Sequence, residues 1–62
     1  MEIAEQLILL TLKKQKRPIT AHQIHVRSMI NPHTVKDRLI LLKQKKLIKE
    51  TNEGTKTLYE AP

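Results

Sequence analysis

Two stretches, Ile19-Thr20-Ala21-His22-Gln23-Ile24 and Ile30-Asn31-Pro32-His33-Thr34-Val35, decide how this chain folds. In each, an apolar residue precedes a helix-capping residue, and a β-branched apolar residue stands five positions after the first. That is the spacing of a hydrophobic staple, from N′ to N4, around Thr20 and Asn31 as N-caps. Gln23 at N3 completes a capping box with Thr20. Pro32 at N1 forfeits nothing, because its missing N–H has no intrahelical partner there and its φ is already helical. Two helix starts this close leave room only for a short helix, a tight turn and a second helix.

Outward from this pair, residues 2–15 read as a first helix. Ile3, Ala4, Leu7, Ile8, Leu10 and Thr11 share one side of a wheel turning about 100° per residue. Glu2 and Glu5 near its start, and Lys13 and Lys14 near its end, suit the helix dipole. Leu9 and Leu12 fall outside that arc, so they either pack under a neighbouring element or mark a dimer face. Lys16-Arg17-Pro18 ends the helix, because the residue before proline is pushed out of the α region. A second helix is expected over 21–28, anchored by Ile24, and a third over 32–46, with Val35, Leu39 and Leu42 as its buried stripe. The tail changes period. Leu47–Thr51 and Lys56–Glu60 flank Asn52-Glu53-Gly54-Thr55, a hairpin signal over 47–60. A four-residue loop there would set Ile48 opposite Tyr59.

With 62 residues the chain reads as one small domain, 1–62, and its net charge is +6. Between Lys13 and Lys49 stand 11 basic residues and one acid, Asp37, giving +10. The flanks carry five glutamates against Lys56, giving −4. A basic middle of this kind is expected of a surface that meets a polyanion. There is no cysteine, hence no disulfide and no thiolate zinc site. No apolar run approaches a membrane span and no signal-peptide pattern opens the chain, so a cytoplasmic, nucleoid-associated protein without membrane contact is expected. No nucleophile stands with a positioned base, and there is no glycine-rich phosphate loop and no carboxylate pair, so enzymatic activity is not expected. One aromatic residue gives no stacking platform for single strands. His22 and His25 have the i,i+3 spacing of a chelating pair, yet no third ligand accompanies them. No metal, cofactor or small-molecule ligand is expected.

The order helix, short extended piece, helix, helix, hairpin resembles the winged helix-turn-helix family, an α+β, mainly α fold of three helices and a two-stranded wing. Ile19-Thr20 is similar to that family's "L-T" entry, Ile24 to its helix-2 anchor, Ile30 to its turn hydrophobe and Thr34-Val35 to its "T-V" opening. Leu39, Leu42 and Leu47-Ile48 resemble its "L-x-x-L" and "L-I", and Tyr59 the aromatic of the wing's second strand. Three positions depart. His25 stands where a small residue is usual, Ser28-Met29 gives a turn without glycine and so a different turn geometry, and Lys45-Lys46 replaces the glycine that offers an easy left-handed C-cap. Such departures suit a divergent member, of archaeal or mobile-element type.

The resemblance implies that the third helix enters the major groove of double-stranded DNA as part of a homodimeric transcriptional regulator. Its base-facing residues would be His33, Thr34, Lys36, Asp37 and Ile40, with an i,i+4 pairing to His33 as the other role for Asp37. Phosphate contacts would come from Lys16, Arg17, Arg27, Lys43, Lys45, Lys46, Lys49 and Lys56. Leu9 and Leu12 would form the dimer face. The competing reading is a winged-helix protein-interaction module whose basic stripe meets an acidic partner. A narrower likeness to the Z-nucleic-acid-binding winged helices rests on Thr20-Ala21 and the stripe of Val35, Leu39 and Leu42. Against it, Lys36 and Ile40 stand where that family has asparagine and tyrosine.

Overall fold

A computed structural model describes residues 2–62. Three helices, α1 (Ile3–Lys14), α2 (Ala21–Ser28) and α3 (Pro32–Gln44), are followed by strands β2 (Lys49–Glu53) and β3 (Lys56–Glu60), with a short strand β1 (Ile19–Thr20) between α1 and α2. Both helix starts in the centre form through local chemistry. The Thr20 hydroxyl accepts the Gln23 amide at 3.2 Å, and the Gln23 side chain accepts the Thr20 amide at 2.9 Å. The Asn31 side chain accepts the His33 amide at 2.8 Å. Each staple closes inward: Ile19, Ile24 and Val35 are core residues, and Ile30 packs against them.

Between α2 and α3 no glycine is needed. Met29 takes the left-handed conformation itself (φ 64°), and its amide donates to the His25 carbonyl at 2.9 Å. The His25 ring then closes the turn, its Nδ1–H donating to the Ile30 carbonyl at 2.6 Å. A carbonyl can only accept, so Nδ1 carries the proton. This explains an imidazole where a small residue was expected: the ring replaces the turn contacts that a glycine turn makes by backbone alone.

The far end of α3 departs from expectation in the same way. The helix stops at Gln44 rather than at 46, and Lys46 adopts φ 60°. The Leu47 amide reaches the Leu42 carbonyl and the Lys46 amide reaches the Lys43 carbonyl, each at 3.0 Å. These two bonds make a Schellman cap, and Leu47, its C″ residue, packs against the core. The left-handed cap therefore forms on lysine.

In α1 the buried seam is Glu5, Ile8 and Leu12, while Ile3, Leu7 and Leu10 are exposed. The expected apolar arc is thus rotated toward solvent. Leu12, taken above as a dimer-face residue, is only 2% exposed and belongs to the core; Leu9 is half-buried against it. Along this seam Glu5 meets Lys45, the residue that caps the end of α3.

The sheet has the order β1-β3-β2, antiparallel throughout. Asn52 and Glu53 continue β2, leaving Gly54-Thr55 as the loop, with Glu53 opposite Lys56. Positive φ falls on Gly54 alone in that loop, as a type II′ hairpin requires. The register consequently differs by two from the one expected: Tyr59 lies opposite Glu50, not Ile48. On its other side Tyr59 pairs with Ile19. That pairing joins the wing to the start of α2, and β3 packs against α1 and α2. The core they enclose is Ile8, Leu12, Ile19, Ile24, Val35, Leu39, Leu42 and Ile48.

Candidate nucleic-acid interface

Val35, Leu39 and Leu42 hold one side of α3 in the core, so the opposite side is presented to solvent. Across from that stripe, His33, Asp37, Ile40 and Gln44 form a continuous outward ridge with Lys36 on its flank, all of them exposed. Ile40 is 58% exposed, a branched apolar side chain with no covering element. Thr34 is half-buried on the other flank, next to the seam with α1. The sequence places Gln44 on this same side of the helix wheel, one turn beyond Ile40, although it is the one ridge residue not among the expected base-facing candidates.

Charge is distributed differently in space than along the chain. Glu2 accepts two hydrogen bonds from the Arg38 guanidinium, the Nη2 bond at 2.7 Å and a shorter one from Nε. Lys43 Nζ lies 2.9 Å from Glu50 and Lys45 Nζ lies 3.0 Å from Glu5, a carboxylate in a residue only 5% exposed. Three of the five flanking acids thus fold back onto Arg38 and Lys43 of α3 and onto Lys45 at its C-cap. The Arg38 hydrogen bond holds the Glu2 carboxyl below its ordinary value, against the opposing effect of desolvation, and Glu2 raises Arg38 in return.

Lys43 and Lys45, both expected as phosphate ligands, each pair with a carboxylate while about half of each side chain stays exposed. In the wing, Lys49 stands opposite Glu60 and Lys56 opposite Glu53. Arg27 shares a groove with Leu7, Leu10, Thr11, Lys14, Gln15 and Ser28, between α1 and α2, which contains no α3 residue. Lys16 and Arg17 are exposed in the α1–β1 connection. Among the described residues, Lys36 and Lys46 are the α3-proximal cations without an ion-pair partner.

Two concavities border the ridge. One, of about 390 Å³, lies between α3 and the wing and is lined by Leu39, Ile40, Lys43, Gln44, Glu50 and Tyr59. Burial there, with the adjacent Glu50 charge, pushes the Tyr59 hydroxyl above its ordinary value. The other, of about 190 Å³, lies between the N-terminal ends of α2 and α3 and is lined by Ala21, His22, His25, Pro32 and Lys36. The His22 and His25 rings are tilted, with centroids 6.1 Å apart. Among the described residues no group of three or more histidine, cysteine or acidic side chains is placed to hold a metal ion. No helix is long and apolar enough to cross a membrane.

No family model matches the chain, and no curated protein does. Solved structures do resemble it. One is a HOP2 chain, from work on the DNA-recognition and protein-interaction domains of that protein and its homologous DNA pairing; it is 28% identical, with TM-score 0.85, covering 95% of this chain and 98% of that one. Another is a cysteine-to-serine variant of Lactococcus lactis ZitR in complex with DNA, 23% identical with TM-score 0.84, covering the whole of this chain and 43% of ZitR. A third is human N-acetylserotonin methyltransferase in complex with SAM, 16% identical with TM-score 0.76, of which this chain spans 20%. The last two likenesses are of fold, and this chain spans less than half of either protein.

Proposed function

The chain is a winged helix-turn-helix domain, and we propose that it binds double-stranded DNA with α3 in the major groove. The observation that carries this reading is the exposed ridge His33, Lys36, Asp37, Ile40 and Gln44, standing clear of the core on a helix capped at both ends. His33 and Gln44 offer hydrogen bonds to base edges, Lys36 reaches guanine or phosphate, and Ile40 can cover a thymine methyl group. Asp37 selects against close phosphate approach and accepts from cytosine. Thr34, at the flank, suits the backbone. Lys16, Arg17, Lys46, Lys49 and Lys56 supply the phosphate contacts around the ridge. The resemblance to DNA-bound ZitR and to HOP2 supports the same use of the fold.

We infer further that the domain acts as a homodimeric transcriptional regulator, through Ile3, Leu7 and Leu10 rather than Leu9 and Leu12. These three lie at i, i+4 and i+7 on α1 and are exposed. Two copies with α1 antiparallel would set Leu7 of one against Leu10 of the other, and the Lys13-Lys14 end of each near the acidic start of its mate. Sedimentation giving a monomer at tens of micromolar, unchanged by Leu7→Asp, removes this part.

Binding of a random-sequence duplex, followed as salt rises, tests the DNA reading. Log affinity should fall linearly with log salt, and Lys36→Ala should reduce that slope by about 0.9. Absence of binding at low salt refutes it. The exposed α1 stripe also favours a second reading, a protein-interaction module. Under it, duplex DNA would fail to compete with the protein partner.

A further inference from the structure

Resting on the DNA-binding reading, we propose that the notch lined by Ala21, His22, His25, Pro32 and Lys36 is a proton-linked site for one backbone phosphodiester of the duplex. The notch brings two imidazoles and an ammonium group around about 190 Å³, beside the outward ridge of α3, and no carboxylate lines it. Ala21 and His22, in the first turn of α2, line it, and the helix dipole there favours an anion. Pro32 carries no N–H, so the α3 side contributes only Lys36 as a donor.

The hydrogen bond that closes the turn makes proton uptake compatible with the fold. His25 Nδ1–H is committed to the Ile30 carbonyl, which leaves Nε2 to accept a proton. The imidazolium keeps the Nδ1 bond and gains a donor at Nε2, so protonation breaks nothing in the turn. His22 stands 6.1 Å away between ring centroids, so an anion seated in the notch meets both imidazoles and favours their charged forms. Histidine is the side chain whose charge changes near neutral pH, so DNA binding here takes up protons as pH falls.

The surrounding charges are consistent with this. From α1, Lys14 lies beside Arg27, and Arg27 also lines a shallow concavity with His22, Gln23 and Val26, a cation that no carboxylate accompanies there. β1 holds no titratable residue, and β3 presents Tyr59 to the groove between α3 and the wing, not to this notch. On α3, Lys36 lines the notch, Asp37 and His33 lie on the outward ridge, and Arg38 is held by Glu2.

The test is the affinity of the full chain for a random-sequence duplex at fixed ionic strength, between about pH 8 and about pH 6. Affinity should rise roughly sixfold, as linkage requires when binding draws a proton onto one histidine. In the double variant His22→Gln, His25→Asn the rise should shrink below about twofold; asparagine retains an N–H toward Ile30 but does not titrate. Thermal unfolding checks that the double variant folds. Calorimetry of the unaltered chain in two buffers of different ionisation enthalpy should independently show proton uptake on binding. Duplex binding with flat pH dependence overturns the notch while leaving the DNA reading intact. So does a pH dependence that survives in the double variant and disappears in His33→Gln. No duplex binding at any pH overturns the reading on which the notch rests.

Discussion

Replacing Lys46 with glycine should stabilise the domain, although it removes a charged side chain and adds none. Lys46 sits at φ 60°, and the two hydrogen bonds of its Schellman cap depend on that conformation. A residue with a Cβ held in the left-handed region is destabilised by about 1–2 kcal/mol. Glycine releases that strain but broadens the unfolded ensemble, at a loss of about 0.4–1 kcal/mol. The net gain is about 0.5–1 kcal/mol. For a domain of this size a gain of 1 kcal/mol raises Tm by about 4–8 °C, so an increase of about 2–8 °C is expected. Lys46→Ala separates the causes: it removes the same charge and retains the Cβ, so it should not raise Tm. Thermal unfolding followed by circular dichroism measures both. A glycine variant no more stable than the alanine variant refutes the strained cap, and with it the reason that α3 ends at Gln44.

The remaining predictions address α1, the ion pairs and the hairpin. Leu12→Ala should cost about 2–5 kcal/mol as a core deletion, while Leu10→Ala, at a half-exposed position, should stay within about 0.5 kcal/mol; denaturant unfolding that reverses this order contradicts the rotation of α1. Glu50→Gln should free Lys43 for phosphate and steepen the salt dependence of DNA binding by about 0.9, whereas Glu60→Gln, which changes net charge equally, should not. The Arg38 pairing lowers the folded-state Glu2 value below 4.5, so its stabilising effect is present above that pH and lost as pH falls through the folded value; Arg38→Gln should flatten the acid limb of a Tm–pH profile. Gly54→Ala, at φ 60° with open space around it, should lower stability by about 1 kcal/mol through backbone strain alone.

The helix starts were legible because their determinants are local. Thr20 with Gln23 and Asn31 with Pro32 act within one turn, and a staple spans five residues. The core stripe of α3 was legible for a related reason, since one helix face repeats Val35, Leu39 and Leu42. What the sequence did not disclose depends on distant partners. The buried face of α1 includes Glu5, which meets Lys45 forty positions away, and apolar periodicity assigns no burial to a glutamate. The +10 middle and −4 flanks looked like a polarised surface. In space Glu2 and Glu50 pair with Arg38 and Lys43 as Glu5 does with Lys45, so in and just after α3 the cations without an ion-pair partner among the described residues are Lys36 and Lys46. In the wing, Asn52 and Glu53 resemble loop residues by composition. They pair as strand because Gly54 alone supplies the positive φ of a tight turn.

The ridge on α3 is tested most directly by titrating the isotopically labelled chain with a duplex at low salt and following each backbone amide by NMR. Shifts should concentrate on His33, Thr34, Lys36, Asp37, Ile40 and Gln44, with smaller changes at His22 and at the hairpin loop, and none at Ile3, Leu7 or Leu10. Changes confined to α1, with the α3 amides unmoved, would contradict the assignment of α3 as the DNA-reading element.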